Sequence, residues 1–125
     1  KGAGPDLPRV TRTEILDARA VVENAVYVDP AIRECLVDIA IKTRTDPRVL
    51  QGISTRAMVL MLPALQARAL SHVRDHVNAE DIHALGIYVF GHRIELAPGS
   101  DPLDTVVQEC MAEPLERLSR ATMQR

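Results

Sequence analysis

Apolar residues recur at intervals of three and four along most of this chain, and no long run alternates apolar with polar, so the pattern predicts helices and no sheet. The first helix begins at Thr11. There T-R-T-E forms a capping box, in which the Thr11 hydroxyl accepts from the amide of Glu14 and the Glu14 carboxylate accepts from the amide of Thr11. Ile15, Ala18, Val22 and Ala25 follow as one apolar stripe that fades near Val26. A second helix is predicted from Pro30 to about Arg44. Asp29 caps it, and Pro30 takes a first-turn position where the missing N–H costs nothing. Its apolar face is Ile32, Leu36, Ile39, Ala40 and Thr43, and Lys42 and Arg44 suit the negative end of its dipole.

Asp46-Pro47 and Gly52 mark a loop, after which Ser54 caps a long helix with Met58, Met61, Leu62, Leu65, Ala69 and Val73 on its core face. Pro63 inside it predicts a kink near Val59 to Leu62. Asn78 caps a fourth helix through Ile82, Leu85, Gly86 and Val89, with Glu80 and Asp81 complementing the dipole in the first turn and a stop near Gly91. Pro98-Gly99-Ser100 is a further loop. Asp101-Pro102 then opens a last helix carrying Leu103, Val106, Val107, Cys110 and Met111, which Pro114 is expected to interrupt. Residues 1–9, with Gly2, Gly4, Pro5 and Pro8, have linker composition, so the folded unit is placed at 10–125. The expected fold is all-α, a compact bundle of about five helices.

Composition narrows this further. With 125 residues the chain can build one core and has little room for two. Tyr27, Tyr88 and Phe90 are the whole aromatic complement, which argues against a β-sandwich and against a stacking surface for single-stranded nucleic acid. Fifteen basic and 17 acidic side chains leave a formal charge of −2, so no global field attracts nucleic acid or an anionic membrane, and an anion site has to be local. No apolar run reaches the roughly 20 residues that span a bilayer. Cys35 and Cys110 stand far apart, outside any metal-ligand spacing, and read as small core residues in a reducing, cytoplasmic setting. Because the first residue is Lys1, the chain is expected to be part of something longer.

Candidate chemistry gathers at Q-G-I-S-T-R-A, Gln51 to Ala57. Arg56 falls in a first helical turn, where a cation faces the positive end of the dipole and is disfavoured by about 0.3–1 kcal/mol unless an anion compensates it. Helix-start amides, the hydroxyls of Ser54 and Thr55 and the Arg56 guanidinium together suit a phosphate, while pairing of Arg56 with an acidic side chain of this domain is the plainer alternative. His72 and His76 stand at i and i+4. Without a glutamate between them in the H-E-x-x-H manner they read as exposed histidines, and no metal site is assigned.

At these residues the chain resembles the C-terminal lid domain of the MoxR family of AAA+ ATPases. The likeness is carried by V-Y-V-D-P (Val26 to Pro30), T-R (Thr43, Arg44), G-I-S-T-R-A (Gly52 to Ala57), A-R-A-L (Ala67 to Leu70), V-N-A-E-D-I (Val77 to Ile82) and H-R-I (His92 to Ile94). The order and spacing agree over about residues 10–96. Thr55 stands where the family often has Pro, Asn78-Ala79 replaces Thr-Pro, and Pro63 lies inside the long helix. The resemblance implies that Arg56 is the sensor-2 arginine, reaching the γ-phosphate of ATP, with Ser54 and Thr55 beside it at the helix start. It further implies an upstream AAA+ core domain supplying ATP and Mg2+ sites, neighbouring subunits of a ring, chaperone-like remodelling, and partners with von Willebrand factor A domains. This stretch has no phosphate loop, no apolar run ending in Asp-Glu and no strand-helix alternation, so it is expected to bind no cofactor alone, to hold no catalytic residue and not to hydrolyse ATP. The competing reading is a free-standing helical module that binds protein or DNA, with the Ser54 helix as reader and Arg44, Arg48, Arg56 and Arg68 on phosphates.

Overall fold

A computed structural model describes residues 11–123, with the side chain of Met123 outside the description; the linker assigned to residues 1–9 lies outside the described residues. The order of elements is α1 (Arg12–Ala25), α2 (Pro30–Thr45), β1 (Val49–Gln51), α3 (Thr55–Val59), α4 (Leu62–Ser71), α5 (Ala79–Gly91), β2 (Glu95–Leu96) and α6 (Leu103–Met123). The all-α bundle is therefore as expected, and four of the caps read from the sequence are formed, while Asp101 pairs with Arg48 and α6 starts after Pro102. Thr11 and Asn78 each complete a capping box, with Glu14 and Asp81 respectively, while Asp29 accepts from Ala31 and Ser54 from Ala57.

The core is built on α2, whose buried Ile32, Leu36, Ile39, Ala40 and Thr43 are the face predicted for it. α6 packs against both α2 and α5, bringing Val106, Val107, Cys110 and Met111 into the interior with Ile82 and Phe90. α6 packs tightly on α5 at Gly86, where a Cβ would run into the sulfur of Met111.

The structure departs from the sequence expectations in five places. The long helix is broken at Leu60–Met61 and does not merely kink, and Pro63 becomes a first-turn residue of the new helix α4. A first-turn amide has no intrahelical acceptor, so the break removes the penalty that an interior proline carries. Val73 is not on the core face. α4 ends at Ser71, and Val73 is 93% exposed at φ 58°. α6 runs through Pro114 without interruption. One backbone bond is lost there, while Val106, Val107, Cys110, Met111 and Leu118 of the same helix are buried, a larger gain at roughly 1.5–3 kcal/mol per large apolar side chain. A short antiparallel ladder joins β1 to β2, pairing Val49 with Leu96 and Gln51 with Glu95, a unit too brief to leave an alternating signature. Finally, the apolar stripe of α1 contributes no buried residue. Ile15, Ala18 and Val22 line an open groove of about 280 Å³ with Pro63 and Ala67 of α4.

Candidate functional site

The segment Gly52–Arg56 is held against the C-terminal end of α2 by interior contacts. Thr43 is buried, its hydroxyl donates to the carbonyl of Ala40 at 2.8 Å, and the same oxygen accepts the amide of Ile53 at 3.0 Å. One side chain thus closes α2 and satisfies a buried amide of the next segment. Gly52 lies so near that a Cβ would stand 2.8 Å from the Thr43 carbonyl carbon and 2.9 Å from the Arg44 nitrogen. No larger residue fits without moving backbone. Ile53 is itself buried and anchors the loop from within.

α3 follows, packed on α2 with Met58 buried. The Ser54 hydroxyl oxygen accepts from the amide of Ala57 at 3.1 Å, so it is engaged by the cap of its own helix. Thr55 accepts from the Arg44 guanidinium at 3.4 Å. Arg56 is exposed and forms no ion pair among the described residues. Pairing of Arg56 with an acidic side chain of this domain, the plainer alternative, is therefore not seen among the described residues. α3 is a single turn of 5 residues with little dipole of its own, so the capacity to hold an anion rests on the guanidinium groups.

Arg48, Arg68 and Arg74 are spent on structure. Arg48 meets Asp46, Asp101 and Glu109 at 2.7–2.9 Å, tying the loop after α2 to the start of α6. The Arg48 bonds hold the Asp46 carboxyl down at about 2. Arg68 and Arg74 both close on Asp81, which is fully buried. Burial would raise the pKa of Asp81, but hydrogen bonds from Arg74, from the Asn78 amide and from Arg68 outweigh it and leave the carboxyl below its ordinary value. This hub was legible only in part, because the sequence marked Asp81 as a first-turn acid and gave no sign that it gathers two arginines from 13 and 7 residues away. Of the four arginines offered to DNA, Arg48 and Arg68 are thus neutralised, and α3 is too short to serve as a reading helix.

His72 and His76 do not share a helical face. His72 Nδ1 lies 3.0 Å from the Arg68 carbonyl oxygen, and His76 Nδ1 lies 3.0 Å from Asp75. No group of three or more His, Cys, Asp or Glu among the described residues is arranged to hold a metal. Cys35 and Cys110 are buried. Burial, the largest cause, pushes their thiols up to about 12 and about 11, with Asp38 and Asp46 adding to it, so neither is a ready thiolate at neutral pH. No helix of the described residues is long and apolar enough to cross a membrane.

Three comparisons bear on this arrangement. A sequence model of the AAA lid domain matches residues 41–111, from the end of α2 into α6. The uncharacterized protein YeaC of Bacillus subtilis (strain 168) is 33% identical over 109 residues, 84% of this chain and 34% of that protein. A crystal structure described as a "putative ATPase" from Cytophaga hutchinsonii superposes with a TM-score of 0.68 at 20% identity, over 79% of this chain and 34% of that one, and it shares the fold. The chain spans about a third of the length of both relatives.

Proposed function

The chain belongs to the AAA lid domain family, and on that premise we propose that it is the C-terminal helical lid of a MoxR-type AAA+ ATPase, with residues 10–125 as the lid and Arg56 as its sensor-2 arginine. The observation that carries this reading is an exposed guanidinium without a carboxylate partner, on a segment locked to the core by Thr43 and Ile53. Arg56 donates to the γ-phosphate of ATP bound in an upstream AAA+ core, which also supplies the Mg2+ site. That charge-assisted bond is available with ATP and absent with ADP, so it holds the lid in one orientation until hydrolysis releases it. A lid built on a shared core moves as one body, and the swing is transmitted to neighbouring subunits of a cytoplasmic ring and to the proteins that the ring remodels, among them partners with von Willebrand factor A domains. Ser54 and Thr55 shape the turn that presents Arg56, and this stretch supplies no group to the chemical step.

The test is Arg56→Ala in the full-length ATPase. Turnover is expected to fall about tenfold or more, the cost of one charge-assisted bond. The thermal unfolding midpoint should stay unchanged, since Arg56 is exposed and unpaired. Wild-type turnover in a folded variant refutes the assignment.

A further inference from the structure

Two guanidinium groups, not one, border the start of α3. Lys42, Arg48, Arg68, Arg74, Arg117 and Arg120 each pair with a carboxylate. Arg44 and Arg56 pair with none among the described residues, nor do Arg12, Arg19, Arg33 and Arg93; Arg44 and Arg56 are the two carried by the segments that the Thr43–Ile53 bond joins. Arg44 instead donates from Nη2 to the neutral hydroxyl of Thr55, the residue immediately before Arg56, across a long 3.4 Å. That contact engages one N–H of the five a guanidinium offers, and the remaining donors of this exposed side chain are open to an anion.

The placement is built from the interior. The Thr43 bond to Ile53 and the absence of a side chain at Gly52 bring the last turn of α2 against the turn that carries Arg56. Arg44 is the residue after Thr43, and Arg56 lies three residues after Ile53, so one buried hydrogen bond sets the register of both. Each of the two exposed cations has charge left uncompensated within the described residues, and a multiply charged phosphate can take bonds from both.

Resting on the reading of Arg56 as the phosphate sensor, we propose that Arg44 is a second phosphate-contacting residue, gripping the polyphosphate of the nucleoside triphosphate together with Arg56. Arg44 acts from the end of α2 and Arg56 from α3, so the triphosphate bridges two elements of the lid and is held by a fork. The two side chains then share one ligand, and their contributions to its affinity are coupled.

The experiment is equilibrium titration of the full-length ATPase with a fluorescent, non-hydrolysable ATP analogue and with the matching ADP analogue. The variants are Arg44→Ala, Arg56→Ala, the double variant and Arg33→Ala, the last removing an exposed, unpaired α2 arginine as a control for charge alone. Arg44→Ala is expected to weaken the triphosphate about tenfold, with Arg33→Ala unchanged and the double variant losing less than the product of the single losses. An Arg44→Ala protein that behaves like Arg33→Ala while Arg56→Ala is weakened overturns this proposal and leaves the Arg56 reading standing. If Arg44→Ala and Arg56→Ala both bind as the wild type does, the two fall together. Should Arg44→Ala lower the melting temperature, Arg44→Gln keeps a donor for Thr55 without the charge. A folded Arg44→Gln protein with weakened triphosphate binding supports the contact, and one with wild-type affinity overturns it.

Discussion

The hydroxyl of Thr43 accepts the amide of Ile53 at 3.0 Å inside the core, so the end of one helix fixes where the next begins. Replacing Thr43 by Val keeps the shape and removes the acceptor. A buried amide left without a partner costs about 1–3 kcal/mol, and urea unfolding of Thr43→Val is expected to show a loss of that size. Thr43→Ser, which retains the oxygen, should lose less. On the reading of Arg56 given above, Thr43→Val also lowers ATP turnover although Arg56 is untouched.

Asp81→Asn isolates the buried hub. Arg74 donates to both carboxylate oxygens of Asp81, at 2.8 and 2.6 Å, and Arg68 donates to one at 2.6 Å. The amide cannot accept all of these bonds and brings no charge to offset two partly buried guanidinium groups. Breaking a buried pair from one side costs about 3–5 kcal/mol, and because both arginines keep some access to solvent the lower end is expected in a denaturant melt. A loss below about 0.5 kcal/mol would show that the hub contributes no more than a surface ion pair.

Acid should weaken the fold through Asp46. Its carboxyl, held at about 2 by Arg48 against an ordinary 3.8, binds fewer protons folded than unfolded between those values. The contribution is complete above about pH 4 and is lost as pH falls toward 2; Asp81, also lowered, acts in the same direction. In Asp46→Asn the slope of stability against pH between 4 and 2 should be shallower than in the parent. An identical slope would remove Asp46 from the acid transition.

Val73 offers a gain. α4 ends in a Schellman motif, with the amide of Val73 bonded to the Leu70 carbonyl and that of Arg74 to the Ala69 carbonyl, and Val73 occupies the left-handed position that usually holds glycine. A side chain there costs roughly 1–2 kcal/mol, offset in part by the greater freedom of glycine in the unfolded chain. Val73→Gly is therefore expected to raise stability by about 0.5–1 kcal/mol in thermal melts, and a lower melting point would mean that the valine makes a contact worth more than its strain.

Local chemistry was the readable part of this sequence. The caps at Thr11, Asp29, Ser54 and Asn78 and the buried face of α2 depend on neighbours within a turn or two, and each stands where the spacing put it. Distant packing was not readable. Pro63 breaks one helix and Pro114 leaves another whole, so the presence of a proline did not by itself tell which helix would end. Asp81 looked like a capping acid and is also the meeting point of Arg68 and Arg74. At the candidate site the sequence marked Arg56, Ser54 and Thr55, while the role of Thr43 and the tether from Arg44 to Thr55 came only with the fold, because no periodicity connects residues 43 and 53.

α1 buries none of its own residues, and its far end is pinned where Gln66 donates to the carbonyls of Val26 and Glu23. The buried core accordingly starts at Val26. Amides of the preceding helix are therefore expected to exchange sooner than those of α2, whose inner face is buried. α1 rests on α4 through its apolar stripe and would be the first helix to part from the rest of the domain.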